Sequence, residues 1–319
     1  MEPIFVKPVL KETLWGGTRL AAEFGYETTS DHVGESWAIS AHKNGDCTVY
    51  THSGDSPYEG KYLSQLWAEN HELFGRAEGE SFPLLVKFID ARDDLSIQVH
   101  PDDEYAGKYE NGSYGKTECW YILDNTGDGK IIVGHNAKDR AELCDMIDKG
   151  RWNELIRQVP CKKGSFFQIV PGTVHAIKNG TFLIEIQQSC DVTYRLYDYD
   201  RLQNGKPREL HLDKAKDVIT VPANPAENET RLVFEDTKGN KITEMISCEY
   251  YTVRHVEVTD ELQIERGKDR NFDLISIISG EGFVNDVPVK KGDNLIIPCS
   301  EKAGEKIPLS GEMELMQTY

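Results

Sequence analysis

Two histidines, a glutamate and a glutamine occur in this chain at spacings that suit a metal ion. Gln98 and His100 lie two residues apart, Glu118 follows Lys116 by two residues, and His175 comes after a Pro-Gly turn. Side chains two apart on a β-strand share a face, so Gln98 and His100 can point to one ion, and Lys116 and Glu118 form a second such pair. The sequence therefore predicts a divalent metal site with open coordination positions, held by His100, Glu118, His175 and Gln98.

The context of His175 supports this interpretation against a simpler one, in which polar residues are scattered and the histidines are structural. The segment 164–179 fits the second cupin motif, Gly-x5-Pro-x-Gly-x2-His-x3-Asn, except that Val170 occupies the place of the first proline. A Pro-Gly turn allows the next strand to begin with its histidine directed into a barrel. The motif thus favours a metal ligand at His175.

Most of the chain shows short strands separated by turns, which predicts a mainly β protein. The clearest strand patterns are 4–6, 84–89, 119–123, 131–133, 166–170 and 182–186. Two stretches, about 60–75 and 138–158, instead carry apolar residues at helical spacing, and we expect the second to break at Gly150. The acidic run after Pro101 predicts a short helix, because carboxylates favour the free N–H groups of a first turn. We expect these helices as insertions beside a barrel.

The C-terminal part repeats the β pattern after a polar, proline-rich segment at 221–227, which is the best candidate linker. Segment 292–303 fits the first half of the cupin motif, but Ser300 replaces its glycine and Ala303 occupies the histidine position. We therefore expect two jelly-roll (cupin) barrels. The expected domains are a metal-binding catalytic cupin domain at 1–225 and a degenerate cupin domain without metal at 232–319.

Charge and composition narrow the classes of function. The net charge of −18 argues against nucleic acid and anionic membranes as partners, because both would be repelled. No apolar run approaches 18 residues, the N-terminus lacks a signal-peptide layout, and the seven cysteines include no Cys-x-x-Cys. We expect a cytoplasmic protein with reduced thiols and a small-molecule substrate. It is expected to be a monomer or a weak homo-oligomer.

Longer stretches of the chain resemble the type I mannose-6-phosphate isomerases, in the short form found in bacteria. The most specific element is Gln-x-His-Pro together with Lys-x-Glu, and order and spacing agree over about the first 200 residues. The matching segments are Leu14–Gly17, Gly34–Trp37 with Ser40, Phe82–Lys87, Ser96–Pro101, Gly115–Glu118, Pro171–Ala176 and Asp191–Arg195. Gly115 stands where longer members often have histidine, and the chain has no room for the helical domain of eukaryotic members.

The resemblance implies interconversion of mannose 6-phosphate and fructose 6-phosphate with one bound Zn²⁺ per chain. It places His100, Glu118 and His175 at the positions of the metal ligands. Gln98 matches a fourth position, which binds the metal directly or through water. Arg195 matches the active-site arginine of the family.

The same resemblance places Lys87, Lys116 and Asp191 where the family keeps polar active-site residues. An aldose–ketose isomerase moves a proton between C2 and C1 through an enediol or enediolate, whose charge a metal and Arg195 can stabilise. Lys116 lies on the strand face of Glu118, and it either carries the proton or binds phosphate or a hydroxyl in its charged form. Asp191 orients Arg195, handles a proton, helps ring opening or simply pairs with a basic neighbour.

Candidates for substrate binding are Lys87, Arg201 and Trp15. Long basic side chains on exposed strands are usually only solvated, which is the alternative to phosphate binding by Lys87 and Arg201. Trp15 and Trp37 could stack on a sugar, but tryptophan is more often a core residue.

Two other functions stay open. Two histidines and a carboxylate also form the facial set of non-haem iron, so an iron- or manganese-dependent cupin oxygenase is an alternative. A non-enzymatic sugar-binding bicupin is another. Lys116 and Arg195 discriminate between them, because enediolate chemistry requires cations beside the ligands and the two alternatives do not.

Overall fold

The computed structural model describes residues 2–51, 56–75, 77–226, 229–267, 270–299 and 305–319. As predicted, these residues form a mainly β protein with short helices. The strands are β1 (Ile4–Lys7), β2 (Val9–Gly17), β3 (Val33–Ile39), β4 (Ala41–His42), β5 (Gly45–Asp46), β6 (Thr48–Tyr50), β7 (Leu84–Asp90), β8 (Ile97–Val99), β9 (Glu118–Asn125), β10 (Lys130–His135), β11 (Ile156–Pro160), β12 (Phe166–Ile169), β13 (His175–Ala176), β14 (Thr181–Gln188), β15 (Tyr194–Tyr197), β16 (Leu202–Gln203), β17 (Lys206–Pro207), β18 (Arg231–Glu235), β19 (Lys241–Ser247), β20 (Thr252–Val258), β21 (Glu261–Glu265), β22 (Asp273–Val284), β23 (Val287–Lys290), β24 (Asn294–Ile297) and β25 (Lys306–Thr318). The helices are α1 (Arg19–Phe24), α2 (Leu63–Glu69), a 3₁₀ helix (His71–Phe74), α3 (Asp103–Tyr109), α4 (Arg140–Asp148), α5 (Trp152–Leu155) and α6 (Leu212–Val218).

The helices fall within the stretches that the sequence pattern indicated, with α1 and α6 in addition, but the second stretch was predicted too long, because Ile156 begins β11. Helix α3 begins after Asp102, whose carboxylate accepts a 2.8 Å hydrogen bond from the backbone N–H of Tyr105 and so caps the first turn. Gly150 has a positive φ of 63° and separates α4 from α5, which is the break expected there.

Two facing sheets form the N-terminal region. One has six strands in the order β12-β9-β14-β7-β3-β2, and the other has five in the order β11-β10-β13-β8-β15. Side chains alternate between the faces of each strand, so every second residue enters the space between the sheets. An apolar cluster that includes Ile89, Trp120, Val133 and Leu183 fills part of this space.

The outer faces of both sheets are also covered. Helices α4, α5 and α6 pack with the outward residues of β8, β13 and β15 in one apolar cluster. Outward residues of β7, β9 and β14 pack with residues of β20, β22 and β24 in another. Because both faces are buried, all seven residues of β7 and all eight of β14 are buried. A polar side chain on these strands therefore needs a partner inside the protein.

The C-terminal strands form most of a ten-stranded sheet. Eight strands follow the order β18-β19-β20-β25-β22-β24-β1-β6, and the other two are β21, which pairs with β25, and β23, which pairs with β22. Its apolar side chains form their own cluster, with members from β19 to β25. The first strand of the chain, β1, belongs to this sheet because it pairs with β24. The arrangement is compatible with two barrels, and the domain boundaries at 1–225 and 232–319 stay a prediction. Ser300 and Ala303, which replace the motif residues, lie outside the described residues.

The expected linker has neither helix nor strand over 221–226, where it is described. It is held to the first region, since Arg157 Nη2 donates to the carbonyl of Asn224 over 2.5 Å. Within the described ranges, no helix combines the length and apolar character needed to cross a membrane.

Candidate metal centre and active site

Three side chains predicted as metal ligands meet between the two facing sheets. His100 follows β8, His175 begins β13 and Glu118 begins β9, so each sheet contributes to the group. Their potential ligand atoms all lie within 4.8 Å of one another. Glu118 Oε2 is 3.6 Å from His100 Nε2, and Glu118 Oε1 is 3.5 Å from His175 Nε2. All three residues are buried, at 1% exposure or less.

Hydrogen bonds to the backbone fix how the two imidazoles are presented. Nδ1 of His100 lies 2.9 Å from the carbonyl oxygen of Val192, and Nδ1 of His175 lies 2.8 Å from that of Thr173. A carbonyl oxygen only accepts, so each Nδ1 carries a proton and each neutral ring turns the lone pair of Nε2 towards Glu118. Burial lowers the pKa of His175 to about 4 and holds the pKa of His100 well below its usual value.

This donor set fits a divalent cation. Two imidazole lone pairs face one carboxylate, and the buried Oε1 of Glu118 accepts no hydrogen bond within the described structure. Such a group of acceptors is unfavourable unless a cation lies among them. Gln98 faces the same centre, with its Nε2 3.2 Å from His175 Nε2, and rotating the amide by half a turn would present its oxygen. The predicted set of His100, Glu118, His175 and Gln98 is therefore brought together.

Two lysines and a second glutamate adjoin the three ligands. Lys116 Nζ lies 2.7 Å from Glu118 Oε2 and 3.2 Å from His100 Nε2. Glu185 Oε1 lies 3.3 Å from Lys87 Nζ and 3.9 Å from Lys116 Nζ, while Glu185 Oε2 accepts a 3.1 Å hydrogen bond from Trp120. All of these side chains are buried. The centre is thus surrounded by alternating charges that water does not screen.

Strand register explains why these charges share one face. Lys87 lies directly opposite Glu185, and Glu185 lies directly opposite Trp120 on the next strand. Directly opposite residues on neighbouring strands project to the same side of a sheet. Burial disfavours the ammonium of Lys87 and of Lys116, but the nearby carboxylates outweigh it and raise the pKa of both lysines. Both amines are therefore charged in the metal-free protein.

Arg195 is on the inner face of the other sheet. It pairs with Gln98, which in turn pairs with His175, so the three form a row across β15, β8 and β13. Its Nε lies 3.3 Å from Ser96 Oγ, and its Nη1 donates to the carbonyl of Glu209 over 2.9 Å. Arg195 thus projects to the same side of this sheet as Gln98 and His175, and its guanidinium is held by Ser96 and Glu209.

Two further arginines lie close to Arg195. Arg201 Nη2 and Arg208 Nε reach the two carboxylate oxygens of Asp198, at 2.6 and 2.7 Å. Arg201 also donates to the carbonyl of Asp94 over 2.6 Å. Burial and the charges of Arg208 and Arg201 lower the pKa of Arg195, while Asp198 and Glu209 act in the opposite direction. Arg201 and Arg208 share one carboxylate and Arg195 lies near both, so this arginine cluster (Arg195, Arg201 and Arg208) suits an anion.

The remaining predicted residues lie in different settings. Asp191 is exposed, and its Oδ2 accepts a 2.9 Å hydrogen bond from Asn44, while the described contacts of Arg195 are to other groups. Trp15 is 5% exposed and belongs to the apolar cluster of Trp120, which is the setting of a core residue. Catalysis by Asp191 and sugar binding by Trp15 stay predictions.

Sequence analysis missed two residues of this region, Glu185 and Arg208. Glu185 interrupts the apolar run Phe182–Ile186, and a charge in the middle of a strand buried on both faces could have indicated the site. Arg208 had a weaker signal, which was its place beside Lys206 in a short basic stretch.

Comparisons with known proteins agree with this geometry. A family profile described as the catalytic domain of type I phosphomannose isomerase matches residues 4–148, and one described as the cupin domain of mannose-6-phosphate isomerase matches residues 241–319. The chain is 47% identical to the mannose-6-phosphate isomerase ManA of Bacillus subtilis over 302 residues, with 93% of each chain covered. It is 38% identical to the mannose-6-phosphate isomerase of Streptococcus mutans, covering 100% of this chain and 98% of the relative.

The fold agrees as well. The crystal structure of mannose 6-phosphate isomerase from Bacillus subtilis superposes with a TM-score of 0.93 at 42% identity, and all of each chain is covered. The family profiles cover His100, Glu118 and most of the C-terminal sheet, and the relatives and the crystal structure cover at least 93% of this chain. The chain therefore belongs to the type I phosphomannose isomerases, which are aldose–ketose isomerases.

Proposed function

We propose that this chain interconverts mannose 6-phosphate and fructose 6-phosphate, with one Zn²⁺ held by His100, Glu118, His175 and Gln98. The observation that carries the proposal is the buried group of two neutral imidazoles and a carboxylate with Lys116 at 2.7 Å from that carboxylate. An oxygenase or a structural metal site does not require a charged amine at this place. Isomerisation requires such an amine, because negative charge develops on the neighbouring substrate oxygens at C1 and C2.

The metal, when bound, would supply a Lewis acid that polarises the substrate oxygens at C1 and C2. The chain's own residues orient the substrate, balance its negative charge and move the proton. Arg195, in line with Gln98 and His175, adds a cation that stays protonated beside the enediolate. We assign the proton transfer between C2 and C1 to the side of the site occupied by Lys116, whose Nζ is the amine nearest to the ligands.

Glu185 keeps Lys87 and Lys116 in place. Its Oε1 lies between the two ammonium groups and its Oε2 is fixed by Trp120, so neither lysine is free to turn away. Lys87 also lies 5.2 Å from the ring centre of Trp37, which supports its charged form. We infer that this pair of lysines binds hydroxyl oxygens of the sugar.

The phosphate is assigned to the arginine cluster. Arg201 and Arg208 share the carboxylate of Asp198, and planar guanidinium groups bind phosphate oxygens in pairs. With Arg195 at the inner end, the cluster would place the phosphate at one end of the site and C1 and C2 near the metal. Asp191, which is exposed, is assigned to opening of the sugar ring.

The test is a coupled assay of mannose 6-phosphate isomerisation before chelation, after chelation and after Zn²⁺ is restored. Arg195→Ala is assayed beside Arg254→Ala, an arginine of β20 that pairs with Glu244 at 3.2 Å. We expect activity that requires metal, a fall in kcat of about 10²–10³-fold for Arg195→Ala with a smaller change in KM, and no comparable fall for the control. Absence of turnover by folded, Zn²⁺-loaded protein would overturn the proposal.

A further inference from the structure

The members of the arginine cluster differ in how many of their nitrogens the protein already uses. On Arg201, Nε donates to the carbonyl of Asp198 over 3.2 Å and Nη2 donates to its carboxylate over 2.6 Å. The third nitrogen, Nη1, donates to the carbonyl of Asp94 over 2.6 Å. Every nitrogen of this guanidinium therefore has a protein partner. Because the N–H groups of arginine form a rigid fork, the place of each partner decides which edge stays open to a ligand.

Arg208 keeps an open edge. Its Nε and Nη2 donate to the two carboxylate oxygens of Asp198, at 2.7 and 2.5 Å, which occupies one edge of the guanidinium. In the ranges that the structure describes, Nη1 has no hydrogen-bond partner, so the edge between Nη1 and Nη2 is available. The side chain is 18% exposed, which allows a small ligand to reach it. A planar edge of this kind binds two oxygens of one phosphate group.

Arg195 also has an open nitrogen. Its Nε and Nη1 contact Ser96 and the carbonyl of Glu209, whereas Nη2 has no partner among the described residues. After burial, the charge of Arg208 lowers the pKa of Arg195 most, so these two guanidinium groups are near neighbours. The open groups of the cluster therefore belong to Arg195 and Arg208.

A short hairpin brings Arg201 and Arg208 to the same carboxylate. Strands β16 and β17 pair with each other, and the two arginines stand directly before and directly after them. Both side chains then reach Asp198, whose side chain is only 5% exposed. This carboxylate thus connects an arginine whose nitrogens are all occupied with an arginine whose outer edge is open.

The turn that leads to Arg201 has a conformation that one of its residues disfavours. Tyr199 and Asp200 both have a φ of 56°, which is in the left-handed region. The N–H of Arg201 donates to the carbonyl of Asp198 over 3.1 Å, so the four residues form a type I′ turn. Glycine, asparagine and aspartate dominate the two central positions of such turns, and tyrosine does not belong to this group. The conformation of Tyr199 is therefore imposed by its surroundings.

Contacts of the Tyr199 ring show what these surroundings are. The ring centre lies 5.1 Å from that of Tyr197 and 5.2 Å from the guanidinium carbon of Arg201. The ring also packs against the apolar cluster that includes α4, α5 and α6. Backbone strain that is maintained by packing occurs mainly at binding and catalytic sites. Here it fixes Arg201 and, through Arg201, the carboxylate that orients Arg208.

We propose that Arg208 and Arg195 bind the phosphate of the sugar, whereas Arg201 is a positioning residue that fixes Asp198 and thereby directs the open edge of Arg208. The inference rests on the proposed function and gives each arginine of the cluster its own role. It predicts that the same substitution has different effects at Arg201 and Arg208, although both contact one carboxylate.

The experiment exchanges single arginines for lysine, which keeps the charge but has no fork. Arg208→Lys, Arg201→Lys and the control Arg254→Lys, on β20, are assayed with mannose 6-phosphate after loading with Zn²⁺. An ammonium at position 208 contacts either Asp198 or the phosphate, so we expect KM to rise about 30-fold or more while kcat stays within about threefold. At position 201 the lysine still pairs with Asp198, so we expect KM to rise only about fivefold. The control keeps both constants.

Binding of inorganic phosphate provides a readout that does not depend on turnover. Equilibrium dialysis against radiolabelled phosphate measures the dissociation constant of each Zn²⁺-loaded protein, and thermal unfolding shows that each variant is folded. We expect the dissociation constant to rise about tenfold or more for Arg208→Lys and less than about threefold for Arg201→Lys.

The two readouts separate this inference from the proposed function. Phosphate binding in the expected pattern by a chain that does not isomerise the sugar would contradict the proposed function and support the inference. Three results would overturn the inference: an unchanged chain that binds no phosphate, an Arg208→Lys variant that retains both KM and phosphate affinity, or an Arg201→Lys variant that weakens both more than Arg208→Lys does.

Discussion

The protein contains two buried groups of charges, one around Glu118 and one around Asp273, and they are built differently. At Asp273 on β22, the carboxylate lies 2.9 Å from Arg266 Nε and 3.0 Å from Arg270 Nη1, and it accepts a 2.8 Å hydrogen bond from Gln317. The positive groups surround one negative group directly. Around Glu118, the imidazole lone pairs and the carboxylate face one another.

The difference separates a structural from a chemical use of buried charge. A carboxylate enclosed by its own cations has its charge already balanced and fixes the packing of the chain. Acceptors that face one another, with lysines beside them, form the site that we propose for the metal and the sugar phosphate.

Glu118→Gln is expected to have the largest effect. The amide keeps the shape of the side chain but removes the charge that binds the metal, so metal content falls and kcat/KM drops by at least about 10³-fold. Metal analysis after gel filtration and the coupled assay measure the two effects. Retention of both metal and activity would show that the three residues are not the metal site.

Asp273→Asn should instead affect stability alone. It removes the carboxylate that both Arg266 and Arg270 contact, which are at most 7% exposed, and leaves Arg266 only Glu305 at 3.4 Å. Loss of such a buried partner costs about 3–5 kcal/mol. Denaturant unfolding of the metal-loaded protein measures the free energy of unfolding, and we expect kcat/KM at a temperature below unfolding to be unchanged. A loss of activity in fully folded protein would contradict the structural role.

Glu185→Gln tests the residue that links the two lysines. Removing its charge leaves Lys87 without its partner at 3.3 Å, while Lys116 keeps Glu118 at 2.7 Å. We expect kcat to fall by about 10–100-fold as the positions of both amines loosen, with metal content retained. Steady-state kinetics together with metal analysis distinguish this variant from Glu118→Gln. Unchanged kcat would assign Glu185 to packing.

Local patterns were sufficient to predict the strands, the helix after Pro101 and the metal trio. Each depends on a short-range rule: alternation along a strand, a carboxylate at a helix start, or a Pro-Gly turn before a histidine. The ligands come from segments up to 75 residues apart, but each one has its own local signal. The family resemblance then joined them in one site.

Long-range pairing could not be predicted in this way. The association of β1 with β24 depends on register between strands almost 300 residues apart, and no local signal specifies it. The partners of Glu185 and Arg208 could not be predicted for the same reason, since Lys87 and Asp198 lie on other parts of the chain. The exposed edge at β18 is visible only when the sheet order is known.

The smallest expected effect concerns His135, a buried neutral histidine outside the metal group. Its Nε2 donates to the carbonyl of Thr220 over 2.9 Å, and burial lowers its pKa below the usual value. The unfolded chain therefore binds a proton at this residue more readily than the folded protein does. The stability that His135 contributes is present above about pH 6.5 and is lost as the pH falls below that value.

His135→Gln keeps a donor for Thr220 and removes the titration. In metal-loaded protein, which holds His100 and His175 neutral, we expect the free energy of unfolding of the variant to decrease less than that of the unchanged chain between about pH 7 and pH 5. Denaturant titrations across this range measure the two slopes, and isomerase activity stays unchanged because His135 contacts no ligand. Equal slopes would mean that His135 takes up its proton as easily in the folded protein as in the unfolded chain. Burial alone would then not account for the neutral state of the histidines that face Glu118.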